Sequence, residues 1–346
     1  MTHPAPGRLT TSPDELVKES RGGLSRRGFL TGLGVGAAAL VTACTSRSGA
    51  GAAGGIEVPE VRLGVLGVPD VGPLYVARRQ GIFGRDGLRP KFVDSELTGD
   101  NRFDLVRGPE DIHFDSWVTI FLNIQDGADW VLLGEAYQTG TNTTALVVPQ
   151  KSKLRTLRDL KGTRIAVNNP AGLGVMLINA QLATVGLTPR DVTYVETPFD
   201  QIGASLQRGN AESGWMVEPF MTVAALENGT APLADTAAGP TLDLPQSGYV
   251  CARSFAERNP NTVKAFQSAL VEAQVRALDR TALEKELTDY LKTPKVDATI
   301  ASLMNIGTYP SSLRAVRPQR VADLMFEQGM LKKKIKVADL IISQDS

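Results

Sequence analysis

Acids, amides, hydroxyls and indoles recur along this chain in short polar clusters, most of them placed directly after an apolar run. The clusters are Asp70, Val71, Gly72 and Tyr75; Asp115, Ser116 and Trp117; Asn142 and Thr143; Asn168, Ala171 and Gly172; and Trp215 with Glu218. These types bind rather than react. Carboxylates, amides and hydroxyls exchange hydrogen bonds with a polar solute, and an aromatic face stacks on a planar or methylene-rich one. Small residues ahead of a helix leave its first backbone N–H groups open to an anion. The chain is poor in reactive groups: its two histidines are His3 and His113 and its two cysteines Cys44 and Cys251. No Ser/His/Asp arrangement or metal-ligand spacing is visible, so no catalytic residue, metal or cofactor is expected.

Each cluster also has a plainer role open to it. Asp115 and Ser116 precede an apolar stretch and suit helix capping. Trp117 suits the core. Asn142 and Thr143 suit the approach to a crossover strand, and Glu218, before Pro219, suits the start of a helix, where an acid is favourable. His113 sits inside the apolar run Ile112–Phe114 and reads as a hydrogen-bonded core histidine.

Holding these clusters requires a scaffold that ends many elements at one place. Short β-rich runs alternate with amphipathic stretches of helical period, the pattern of α/β units with a largely parallel sheet. Strands are predicted at 61–67, 89–93, 112–114 and 130–137, with helices at 74–80, 100–107 and 117–125. A second set follows: strands at 145–149, 164–167, 192–195 and 213–217 and a weak one near Leu233, with helical segments at 157–160, 174–185, 199–208 and 218–227. The run Gly248–Ser254 reads as a strand returning to the first set, and helices are predicted at 262–278, 283–291, 297–305, 318–327 and 335–342. Two α/β lobes place a ligand in the crevice outside the carboxyl ends of their strands, where the polar clusters fall.

The front of the chain carries a different chemistry. Arg26 and Arg27, followed by Gly28, Phe29, Leu30 and a Gly/Ala-rich run, resemble a twin-arginine export signal. Val41, Thr42, Ala43 and Cys44 resemble a lipobox, which implies lipidation of Cys44 and a mature chain that begins there. The sixteen residues from Gly28 to Ala43 are too few and too small to span a bilayer, which takes about 20 apolar ones. Residues 1–43 are expected to be the signal and 44–57 a flexible tether. The charge balance is 37 basic against 37 acidic residues; without Arg8, Lys18, Arg21, Arg26 and Arg27 and without Asp14, Glu15 and Glu19 it becomes 32 against 34. A near-neutral chain lacks the basic stripe of a nucleic-acid binder. With Cys44 acylated, Cys251 has no intrachain disulfide partner.

Four segments in order, Gly72–Leu88, Leu157–Gly174, Gly209–Phe220 and Ser254–Phe266, resemble the periplasmic solute-binding components of importers for nitrate, taurine, aliphatic sulfonates and thiamine pyrimidine precursors. The resemblance implies the α/β type II periplasmic binding protein fold: two lobes joined by crossover strands, with a helical C-terminal segment on the first. Lobe 1 would comprise 58–142 and 248–346, lobe 2 143–247. It also implies a monomeric, non-enzymatic receptor, held by lipid to the outer face of the cell membrane, that closes on a small solute and delivers it to an ABC permease and ATPase. The alternative is a thiamine-pyrimidine-precursor binder, or a synthase-like enzyme on the same fold; the enzymes of that group carry a Cys cluster and His chemistry that this chain lacks. Helix N-termini suit an anionic head, yet Asp70, Asp115 and Glu218 share the expected cleft and favour an amine-bearing or hydrogen-bond-rich ligand over a bare anion.

Overall fold

The computed structural model describes residues 55–94, 108–292 and 294–342. Arg26, Arg27, Cys44 and the predicted helix at 100–107 lie outside these residues.

The chain opens with β1 (Arg62–Val65), a 3-10 turn at Pro69–Val71, α1 (Gly72–Arg79) and α2 (Ile82–Arg85). Then come β2 (Lys91–Asp94), β3 (Ile112–Ser116), α3 (Trp117–Gln125) and β4 (Trp130–Gln138). It crosses to a second sheet with β5 (Thr144–Pro149), β6 (Arg164–Val167), α4 (Leu173–Thr184), β7 (Thr193–Glu196), α5 (Phe199–Gln207), β8 (Ser213–Val217), α6 (Phe220–Asn228) and β9 (Thr230–Asp235). It returns through β10 (Pro245–Ala252) to α7 (Arg253–Arg258), α8 (Pro260–Arg276), α9 (Arg280–Tyr290), α10 (Ala298–Leu303) and α11 (Val316–Glu327).

Both sheets have five strands, ordered β2-β1-β3-β10-β4 and β7-β6-β8-β5-β9. The orders match position by position. In each sheet the first three strands pair in parallel, and the fourth, which runs antiparallel to both neighbours, is the strand by which the chain enters from the other sheet. Parallel strands buried on both faces read as continuous apolar runs, as β6 (RIAV) does. The carboxyl ends of β1, β3, β6 and β8 thus feed loops that lead into helices, the arrangement that places ligands at strand ends.

Two glycines set how closely helices approach the sheets. Gly248 on β10 lies under the indole of Trp117, and a Cβ there would collide with that ring. Tyr249, opposite Gly134 in the register, faces the other side, where Phe266 and Leu270 of α8 pack. α3 and α8 therefore cover opposite faces of the first sheet. In the second sheet Gly174 of α4 admits the Trp215 ring in the same manner. α4 is buried on most sides because it packs on β8 and also against α3.

Three expectations need amendment. The predicted helix at 335–342 is a 3-10 turn, Val337–Leu340, followed by Ile341 bridged to Leu132 of β4; Ile341 covers an edge strand whose carbonyls at Leu133 and Glu135 are taken by the side-chain amides of Gln267 and Gln274. The strand read through Ser254 stops at Ala252, where α7 begins. The helix read from Glu218 begins at Phe220. Among the described residues no helix is long and apolar enough to cross a membrane.

Candidate functional site

β1 ends in a turn that carries Asp70 into the interior, 4% exposed. Its Oδ2 accepts hydrogen bonds from Ser247 Oγ (2.6 Å) and Gln246 Nε2 (2.9 Å) on β10. Burial pushes the carboxyl up from 3.8 to about 6, against the pull of these two donors. Directly behind it, α1 starts at Gly72, where a side chain would run into Leu283 and the Tyr309 hydroxyl.

Glu218 follows β8 and is also buried, 3% exposed. Oε2 accepts from Thr222 N (3.1 Å), and Oε1 accepts from Thr222 Oγ1 (2.9 Å) and from Asn305 N (3.1 Å). Burial raises this carboxyl and the three donors oppose the rise. Glu218 thus satisfies the first turn of α6, the plainer role open to it in the sequence, and also accepts from a segment beyond the second sheet.

Between the two acids stands Tyr137, at the end of β4. Its hydroxyl accepts from Gly307 N, and burial, then the charge of Asp70, then that of Glu218, raise its pKa. The Tyr309 ring lies 5.5 Å away and its hydroxyl donates to Pro69 O (2.9 Å). Thr308 and Gln138 exchange backbone hydrogen bonds (2.9 and 3.1 Å). The five residues Asn305–Tyr309 thereby form a strap across the ends of β1, β4 and β8. Arg280 holds the base of this strap, its Nη2 donating to Ala301 O (2.9 Å) and Met304 O (3.0 Å).

The third acid is differently placed. Asp115 lies 3.4 Å from His113 Nε2, and His113 Nδ1 lies 2.5 Å from buried Glu110. Burial alone would lower the imidazole, but the Asp115 and Glu110 carboxylates override it and raise it to about 9. The charge of Asp115 is thus matched by an imidazolium, whereas among the described residues no Lys or Arg forms an ion pair with Asp70 or Glu218.

The other sequence candidates separate by location. Ser116 caps α3, accepting from Thr119 N (3.2 Å), and Trp117 is fully buried beneath Gly248. Val71 is fully buried. Tyr75 stacks on Tyr290 at 4.1 Å. Asn142 takes a positive φ of 56° at the crossover and donates its N–H to Asp235, and Thr143 bonds Gly140 in the same turn. Asn168 follows β6; Ala171 N donates to Asn169 Oδ1 (2.8 Å), and Gly172 is the N-cap of α4, whose first turn has no side-chain cap. Trp215 donates from Nε1 to Thr236 Oγ1 (3.0 Å) and packs on Phe199 and Gly174.

Sequence reasoning missed Tyr137, Gln246, Ser247 and the strap. Tyr137 ends a recognised strand and was within reach of the rule that put ligands at strand ends. Gln246 and Ser247 sit in a stretch that reads as turn, and Tyr309 is 240 residues from the carbonyl it meets; only the closed fold joins them.

The matching family profile is NMT1/THI5 like, over residues 68–280. The chain belongs to this family. It is 28% identical over 223 residues to a putative aliphatic sulfonates-binding protein of Escherichia coli K12, covering 62% of this chain and 67% of that one. Its fold matches the alkanesulfonate-binding protein of Xanthomonas axonopodis pv. citri bound to MOPS, with TM-score 0.68, 21% identity and coverage of 83% and 99%. The fold also serves an enzyme, a desulfurization enzyme matched at TM-score 0.66 and 16% identity over 83% of this chain and 97% of that one. The type II binding-protein architecture expected from the sequence is therefore the one found.

Proposed function

We propose that this NMT1/THI5-like chain is the extracytoplasmic solute receptor of an ABC importer, capturing a small sulfonate, taurine-like or related polar solute between its two sheets and handing it to a permease. The carrying observation is that the carboxyl ends of β1, β4 and β8, from both sheets, converge on one buried polar cluster: Asp70, Tyr137 and Glu218, with the strap laid across them. The uncapped start of α4, beside Asn168, Ala171 and Gly172, offers backbone N–H groups and the positive end of a helix dipole to a sulfonate head. The aliphatic sulfonates and MOPS named for the two binding-protein relatives are of that kind.

A receptor rather than an enzyme also fits the reactive groups. The Cys251 thiol is buried and pushed up to about 12, chiefly by desolvation, which leaves no thiolate at neutral pH. His113 is locked between two carboxylates. In this reading Arg26 and Arg27 direct export, lipidated Cys44 anchors a monomer outside the membrane, residues 58–142 with 248–346 form one lobe and 143–247 the other, and a permease with its ATPase is the partner. The remaining site candidates, Asp115, Asn142 and Thr143, would line the rim. The reading is tested by thermal melting and small-angle scattering against alkanesulfonates, taurine, nitrate and pyrimidines. A ligand should raise Tm and shrink the radius of gyration; a panel that moves neither refutes the receptor.

A further inference from the structure

The cluster around Asp70 is rich in acceptors, and among the described residues no Lys or Arg forms an ion pair with Asp70 itself. Asp70 is wholly enclosed, and its two side-chain donors, Gln246 and Ser247, are neutral. Gln246 spends its amide N–H on Asp70 and leaves its buried Oε1 without a partner among the described residues; the buried Tyr249 hydroxyl is left likewise. Buried polar atoms are almost always satisfied, so an acceptor pair left open on the strand that also holds Asp70 marks where a donor belongs. The charge of Asp70 reaches the hydroxyls of Tyr137 on β4, Tyr249 on β10 and Tyr309 on the strap and raises each of them. Glu218 acts on Tyr137 from the second sheet, and Arg280 of α9 acts on Tyr137, Tyr309 and Glu218. A sulfonate head placed here would meet a carboxylate with no ion-paired base beside it, at a large cost in a buried site.

We infer that Asp70, with Gln246 Oε1 and the Tyr249 hydroxyl, forms an ammonium subsite that selects ligands bearing a protonated amine over the same anion without one. The inference rests on the receptor reading and adds which end of the ligand meets which wall: the amine at Asp70 of the first sheet, the anion toward α4 of the second. A ligand that spans the two walls touches both lobes at once, which is what drives closure.

The test is titration calorimetry of the purified protein with 2-aminoethanesulfonate and with ethanesulfonate, in buffers of differing ionisation enthalpy. One charge-assisted hydrogen bond is worth about tenfold or more in affinity, and the aminated ligand should bind tighter by at least about that factor. Asp70 titrates near 6, and a bound ammonium holds it ionised. Affinity for the amine should therefore fall from about pH 7 to about pH 5, with release of up to about one proton near the lower end. Asp70→Asn should remove both the preference and the pH dependence. Should that variant fail to fold, Tyr249→Phe keeps the ring and should weaken the aminated ligand alone. Equal affinity for the two sulfonates, an affinity that rises on acidification, or a Tyr249→Phe variant that discriminates as before would overturn the ammonium subsite and leave the receptor standing. Failure of both sulfonates and of the wider solute panel would remove the receptor reading and the subsite together.

Discussion

Single ionisable residues carry the electrostatics of this molecule, and three acids, two buried and one partly buried, do so in three ways. Glu218 is held by N–H and O–H donors, Asp70 by two neutral side chains, and Asp115 by an imidazole that also touches Glu110. The last arrangement has a pH signature. His113 is raised from 6.5 to about 9 in the folded protein, so its contribution to stability is complete below the unfolded value and is lost as pH rises through about 9. Two to three pKa units correspond to about 3 kcal/mol. His113→Gln should therefore cost about 3 kcal/mol near pH 6, where it strips Glu110 and Asp115 of their cation, and much less above about pH 10. Urea unfolding of both proteins at the two pH values checks this; an equal difference at both would show that the imidazole is not charged in the fold. Asp70 adds a smaller loss of the same sign at lower pH: its value is raised from 3.8 to about 6, so the unliganded protein loses stability as pH rises across that interval.

At the scale of elements, the strap is the part of the site that no local pattern announces. It follows α10 and is fixed from both ends, by Arg280 at the carbonyls of Ala301 and Met304 and by Tyr309 at Pro69. Removing the guanidinium frees two carbonyls at the end of α10 and loosens the backbone that presents Asn305 and Gly307. Arg280 is partly exposed, so the loss is discounted to about 1–2 kcal/mol. Arg280→Ala should lower Tm by a few degrees and weaken solute binding by about tenfold, with Arg280→Lys recovering part of the affinity. Unchanged affinity in Arg280→Ala would show that the strap does not shape the site. The strands and helices around the strap were legible because each carries its own period: RIAV reads as a buried parallel strand, and WVTIFLNIQ reads as a buried helix with Ser116 ahead of it as a cap. The C-terminal turn at Val337 differs from the expected helix because a Lys-rich stretch with spaced apolar residues mimics an amphipathic helix, while Ile341 is claimed by the edge of β4. Within the site, Asp70 and Glu218 were legible as acids at strand ends; what they bond to was not, since Gln246, Ser247 and Asn305 reach them only through the crossover and the strap.

For the whole molecule, the question is what holds the two sheets and their helices together. Among the described residues, hydrogen bonds join the C-terminal segment to residues 143–247 at three places: Asn305 N to Glu218; Gln328 Nε2 to the Met176 carbonyl (3.0 Å), with Asn179 Nδ2 to Gln328 Oε1 at the long distance of 3.5 Å; and Arg320 Nη1 and Nη2 to the Asp243 and Leu242 carbonyls (3.1 and 2.9 Å). In the receptor reading, net contributions of about 1 kcal/mol for each such bond give a closed form favoured only weakly, before the entropy of closure is counted. A solute that contacts both walls shifts that balance by its difference in affinity for the closed and open forms, and one with equal affinity for both shifts nothing. Gln328 lies at the end of α11 and is none of the residues placed against the solute, so its substitution tests closure through the α11–α4 contact. Gln328→Ala should shift the unliganded protein toward a larger radius of gyration and reduce solute affinity by about two- to tenfold, with the change in the dissociation rate. It should leave the saturated, closed form with the same scattering profile as the parent. Small-angle scattering with and without solute, joined to stopped-flow dissociation, separates the outcomes. A variant whose unliganded profile and dissociation rate both match the parent would mean that the Gln328 contacts with α4 do not contribute to closure, leaving the Asn305–Glu218 bond, the Arg320 bonds and the solute itself to close the lobes.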